Sequence, residues 1–86
     1  MIVSFQDDGW QDYLWWQTND PRGLKKLNRL IEECRRTPFE GTGQPEPLRH
    51  ALSGLWSRRI DQEHRLVYAI VGNSLVIASC RHHYSK

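Results

Sequence analysis

No stretch of this chain approaches the roughly eighteen apolar residues that a membrane-spanning helix needs, and its opening MIVSFQDDGW has no basic segment leading into a long apolar one. The expectation is a cytoplasmic protein with no membrane partner. Cysteine is scarce. Two residues, Cys34 in a helical pattern and Cys80 in a strand pattern, exclude a disulfide scaffold and leave reduced, buried thiols. Charge of one sign is scarce as well: twelve Lys and Arg stand against ten Asp and Glu, a formal +2. Net charge alone therefore does not mark a nucleic-acid binder, and any such claim rests on local clustering. There is no phosphate-cradling glycine loop, paired CxxC, nucleophile elbow, internal repeat, low-complexity tract or linker.

At 86 residues, 38% hydrophobic and 26% charged, the chain has an ordinary globular composition. Its length suits a single domain over 1–86 that buries about two-thirds of the surface exposed by the unfolded chain. Ile2 to Phe5 is a short apolar run that reads as a strand, after which Asp7 or Asp8 caps a helix to about Gln17. Trp10, Tyr13 and Leu14 share one face of that helix. This leaves Trp16 on the flank and points Trp15 away, either as a partner surface or as an isolated exposed apolar residue. Asp20-Pro21 opens a second helix, as N-cap and first helical residue. Its apolar stripe is Leu24, Leu27, Ile31 and Cys34. Arg22, Lys25, Lys26 and Arg29 crowd its first half, as a solvated face in the commoner case and as a phosphate- or acid-facing one in the other.

RRTPFEGTGQPEP ends that helix, because Pro38 disfavours helical geometry at Thr37, and it forms a long loop of the kind that more often serves function than not. Strands follow at Leu55 to Ile60, Arg65 to Val71 and Ser74 to Arg81, with turns at DQEH and Gly72-Asn73. The class is α+β, with two N-terminal helices packed on an antiparallel sheet. RLVYAIV is apolar on both alternating faces, and the helices can cover one of them. The other needs a second cover or a partner, so self-association through that face and Trp15 is expected.

The terminal CRHHYSK gathers two histidines and a tyrosine where small domains usually leave loose ends. Cys80, His82 and His83, with His50 or His64, would supply a zinc ion, but successive strand residues point to opposite faces, so neither metal nor other cofactor is expected. There remain Glu46 in the long loop, Arg49, Arg58, Arg59 and Arg65 on or beside the strands, and His83 and Tyr84. A carboxylate, an imidazole and an arginine suffice for metal-free RNA cleavage. The carboxylate takes the proton of a ribose 2′-hydroxyl, that oxygen attacks phosphorus, and imidazolium protonates the leaving 5′-oxygen. Arginine stabilises the phosphoryl charge, and a tyrosine stacks on an unpaired base. By composition alone, solvated surface residues remain the commoner explanation of such a set.

RRTPFEGTGQPEPLRHALSGLWSRRIDQEHRLVYAI, with WQDYLWWQ before it and the terminal CRHHY, resembles the YoeB toxins of the RelE/ParE superfamily of toxin–antitoxin systems in order and spacing across nearly the whole chain. The resemblance implies a RelE-like compact domain acting as an mRNA interferase at the ribosomal A site. Carried over by position, it implies Glu46 as general base, His83 as general acid and Arg65 as the phosphate-stabilising arginine. Tyr84 falls on the terminal aromatic, Arg59 on a basic site residue, and Arg49 where lysine can stand. His82 replaces an expected aromatic and leaves open which histidine titrates, although register with Tyr84 favours His83. Implied partners are the 70S ribosome with its message and a YefM-type antitoxin, the complex repressing its operon through the antitoxin's DNA-binding domain. The alternatives are a ParE-like toxin that poisons DNA gyrase and a non-catalytic binding module.

Strand register conflicts with this assignment. A regular Gly72-Asn73 hairpin pairs Val71 with Ser74 and sets Arg65 opposite Cys80, which places His82 rather than His83 on the face of Arg65. The family reading therefore requires an irregular turn around Gly72 to Ser74 or a break in alternation between Cys80 and His83.

Overall fold

The computed structural model describes residues 1–82. Chain order is β1 (Ile2–Phe5), α1 (Asp7–Asn19), α2 (Pro21–Arg36), β2 (Glu46–Pro47), a 3₁₀ turn (His50–Leu52), β3 (Trp56–Arg59), β4 (Arg65–Val71) and β5 (Ser74–Ser79). The strands form one sheet in the order β1-β5-β4-β3-β2. β2 to β5 pair antiparallel as expected, but β1 lies parallel to β5, so the sheet is mixed. A four-residue apolar run carries no signal of direction. β2 was expected as loop, and its proline suits an edge strand, where a missing N–H breaks no ladder.

α1 is rotated from the face its apolar residues suggest. Trp16 is fully buried, whereas Trp10 and Leu14 are exposed. The cause is Gly9, whose backbone approaches β5 so closely that a Cβ there would lie 2.4 Å from the Ile77 carbonyl oxygen. Gly9, Asp12 and Trp16 fall on one helical face, so that approach turns all three toward the sheet. Neither aspartate caps the helix. Gln6 holds the N-cap position without a side-chain bond, and Asp7 and Asp8 lie in the first turn, where they favour the helix dipole. Trp15 is half-buried, edge-on to Trp16 at 5.3 Å with the Arg81 guanidinium 4.1 Å over its ring. It is not the free partner surface expected of it.

α2 follows its sequence closely. Asp20 Oδ1 accepts the Gly23 N–H at 3.0 Å, and Leu27, Leu30, Ile31 and Cys34 are buried. They pack on Leu66, Tyr68, Leu75 and Ile77 of the sheet to form the core with Trp16. Burial pushes the Cys80 thiol up to about 12, with the charge of Asp12 adding to the effect, and raises the Cys34 thiol as well. Both are protonated, unreactive core groups at neutral pH.

Arg58 is the second departure. It alternates onto the helix-covered face and is fully buried. Its guanidinium pairs with Glu33 at 2.6 Å and donates to the carbonyls of Thr37, Glu40 and Thr42, while Nε donates to the Tyr68 hydroxyl. Tyr68 in turn donates to the Pro38 carbonyl at 2.6 Å. The loop leaving α2 is thus folded around one buried cation, which satisfies carbonyls that would otherwise be orphaned. The Thr42 amide and hydroxyl, followed by Arg58, hold the Glu33 carboxyl below its ordinary 4.5 despite partial burial. A depressed folded pKa contributes stability above the unfolded value and loses it as pH falls through the folded one. Below about pH 4.5, Glu33→Gln is therefore expected to flatten the acid loss of stability, read as thermal midpoint against pH. An unchanged slope would remove Glu33 as a contributor.

Candidate active site

Residues paired directly across antiparallel strands share a sheet face. Glu46 pairs with Ser57, Ser57 with Val67 and Val67 with Ser79, a row that crosses the sheet on the side away from the helices. The next row on that face is Arg59 with Arg65. Three of the residues nominated from the sequence therefore share one face: Glu46 and Arg59, both exposed, and Arg65, half-buried. Arg58 faces the other way and serves the core.

Two clefts open beside this face. One, of about 400 Å³, is lined by residues 46–52, including Glu46, Arg49 and His50. The other, of about 510 Å³, includes Leu52, Leu55, Val67, Ser79, Arg81 and His82 in its lining. Leu52 borders both, so they adjoin. The segment between β2 and β3 is closed by the Leu48 N–H donating to the Leu55 carbonyl at 2.9 Å. Val67 is buried, so β4 has the second cover its sequence demands over its first half, while Val71 at the far end is exposed. Ser57 Oγ and Arg81 Nε are buried beside the two rows without a hydrogen-bond partner among the described residues. Such groups call for an explanation, and a ligand on this face would supply one.

The hairpin register resolves part of the conflict. Val71 pairs with Ser74 across a regular Gly72-Asn73 turn, so the turn is not irregular. The pairing then jumps from Tyr68 with Ile77 to Val67 with Ser79, which leaves Ala78 as an extra residue in β5. The last strand is bulged as the family reading requires, but at Ala78, ahead of the stretch expected. One step further, Cys80 joins Leu66 inside the core. At His82 the backbone turns left-handed, with φ 60, inside the stretch where a break was expected. His83 and Tyr84 lie outside the described residues.

The His82 imidazole faces the β3–β4 turn, with Nδ1 3.8 Å from Glu63 and the ring 5.4 Å from His64. Glu63, His64 and His82 converge to within 4.8 Å. Ligands around a tetrahedral zinc with 2.1 Å bonds stand about 3.4 Å apart. His64 Nδ1 also accepts the His82 N–H at 2.7 Å, which leaves the neutral ring's proton on Nε2. The trio as arranged does not fit a metal ion. Cys80 turns its thiol inward to the Gly9 carbonyl, and His50 lies on the 3₁₀ turn. Sequence reasoning weighed His64 only as a ligand and missed Ser57 and Arg81. The signal for His64 was its position directly before Arg65.

Comparison with known proteins follows this geometry. Residues 5–84 match the family model described as the YoeB-like toxin of bacterial type II toxin-antitoxin systems. Toxin YoeB of Escherichia coli K12 is 60% identical over 84 residues, covering 98% of this chain and 100% of that protein. The YoeB-YefM complex from Staphylococcus aureus contains a chain 41% identical with a TM-score of 0.89, and the YoeB dimer from the same organism one 42% identical with a TM-score of 0.90, each covering 98% of both chains. Among the described residues no helix is long and apolar enough to cross a membrane.

Proposed function

The chain belongs to the YoeB-like toxin family of bacterial type II toxin–antitoxin systems, and from that premise we propose that it is a ribosome-dependent endoribonuclease that cuts mRNA in the A site and so stops translation. The observation that carries this reading is the shared sheet face of Glu46, Arg59 and Arg65, open to adjoining clefts. Glu46 takes the 2′-hydroxyl proton, the freed oxygen attacks the adjacent phosphorus, and His83 protonates the departing 5′-oxygen. Arg65 stabilises the charge that grows on the phosphoryl oxygens. Arg59 and Arg49 draw the phosphate backbone toward the face, and Tyr84 stacks on a base. His82 acts at the rim, through its backbone rather than as the acid. This residue set needs no metal or other cofactor.

The same reading gives the chain a YefM-type antitoxin, whose acidic flexible segment covers the basic face until it is degraded and which carries the complex to operator DNA. Self-association follows from the dimeric relative rather than from Trp15. The test is cleavage of message on programmed ribosomes: wild-type protein is expected to cut within the A-site codon and to leave free RNA of the same sequence far less affected. Intact message beside arrested translation would retire the nuclease reading.

A further inference from the structure

β5 ends at Ser79, and the residues after it are held by groups outside the strand ladder. α1 takes Cys80: Asp12 Oδ2 accepts its N–H at 3.0 Å, and the Trp16 indole donates to its carbonyl at 2.7 Å. His64 and Arg65 take His82. His64 Nδ1 accepts its N–H at 2.7 Å, and the Arg65 N–H donates to its carbonyl at 3.0 Å. His82 has φ 60, a conformation disfavoured for a residue with a side chain, so bonds on both sides of it must hold it there.

His64 is built for this contact. It is 7% exposed and lies edge-on to Trp16 at 4.9 Å. Its own N–H is capped by Asp61 Oδ1 at 2.7 Å, and its carbonyl accepts from Ile60 at 3.0 Å. An imidazole nitrogen that accepts carries no proton, so the ring is neutral with Nε2–H toward Glu63, 3.9 Å away.

We propose that His64 is a positioning residue of the cleavage reaction: its Nδ1 fixes the peptide of His82 and thereby presents the next residue, His83, to the phosphate that Arg65 holds. The proposal rests on the nuclease reading and on His83 as its acid. Its physical content is that both bonds to the His82 backbone come from one dipeptide, His64-Arg65, so the proposed acid and the phosphate-binding arginine are placed from a common point. Misplacing a catalytic group by about an ångström costs on the order of a hundredfold in rate.

Two measurements on the toxin released from its complex test this. In ¹⁵N-labelled protein, a scalar coupling across the hydrogen bond is expected between the His82 amide nitrogen and His64 Nδ1. A protonated Nδ1 without that coupling overturns the proposal. In the ribosomal cleavage assay, His64→Ala and His64→Gln are expected to lower kcat roughly tenfold to a hundredfold with little change in KM. His64→Asn places an oxygen near the site of Nδ1 and is expected to restore kcat to within about threefold, whereas the glutamine oxygen reaches the Nε2 position and does not. The Asn and Gln variants decide the matter even where the Ala variant fails to fold. Equal rates in those two overturn the proposal. A wild-type protein that leaves message uncut defeats the nuclease reading itself, and the positioning role with it.

Discussion

Glu46→Gln is expected to slow message cleavage by roughly a hundredfold to ten-thousandfold, the range for removal of one acid–base group, with the thermal midpoint unchanged. Glu46 is exposed on a two-residue edge strand, so its substitution opens no cavity and strands no core partner. Surface changes of this kind stay within about 0.5 kcal/mol. Glutamine keeps the size and the hydrogen-bonding ability but cannot take up the 2′-hydroxyl proton. The change also removes a negative charge from a face carrying Arg59 and Arg65, so KM for message is expected to hold or fall while kcat collapses. That split separates a general base from a residue that merely binds RNA. Wild-type cleavage by the Gln variant would remove Glu46 from the mechanism.

Arg58→Met is expected to cost about 3–5 kcal/mol of stability, the usual effect of breaking a buried ion pair from one side. Arg58 is fully buried, and its removal leaves Glu33, the Tyr68 hydroxyl and the carbonyls of Thr37, Glu40 and Thr42 short of a donor. A domain of this size loses roughly 4–8 °C of thermal midpoint per kcal/mol, so a fall of about 15–30 °C is expected. Arg58→Lys keeps the charge but cannot span the same fork of acceptors, and recovers only part of the loss. The loop that these bonds fold leads into Glu46, so cleavage by the folded fraction should fall although no reacting group is touched. An unchanged midpoint in Arg58→Met would contradict the clamp.

Local signals made part of this fold legible in the sequence. Asp20-Pro21, the Leu27-Ile31-Cys34 stripe, Pro38 and the run Arg65 to Val71 act within a few residues, and they appear where they were expected. What was not legible depends on contact between distant segments. Gly9 and Asp12 carry no apolar signal, yet they define the buried face of α1 because β5 passes beneath them. Arg58 reads as one more strand cation until the loop carbonyls it serves are known. The bulge at Ala78 and the parallel pairing of β1 leave no mark on composition. Site residues were nominated through resemblance to a family, since a scattered Glu, Arg and His are ordinary surface groups by themselves. Strand register independently sets Glu46, Arg59 and Arg65 on one face, while His83 and Tyr84 fall beyond the described residues.

Attack by the 2′-hydroxyl without metal is the centre of this account, and the chemistry of the new ends reads it directly. Message cut on ribosomes by the wild-type protein, with the protein itself treated beforehand with EDTA to strip any bound ion, is expected to give upstream fragments ending in 2′,3′-cyclic phosphate or 3′-phosphate. Downstream fragments should begin with a free 5′-hydroxyl that polynucleotide kinase labels without prior phosphatase. Downstream fragments that carry a 5′-phosphate, or cleavage abolished by the EDTA treatment and restored by a divalent ion, would contradict it.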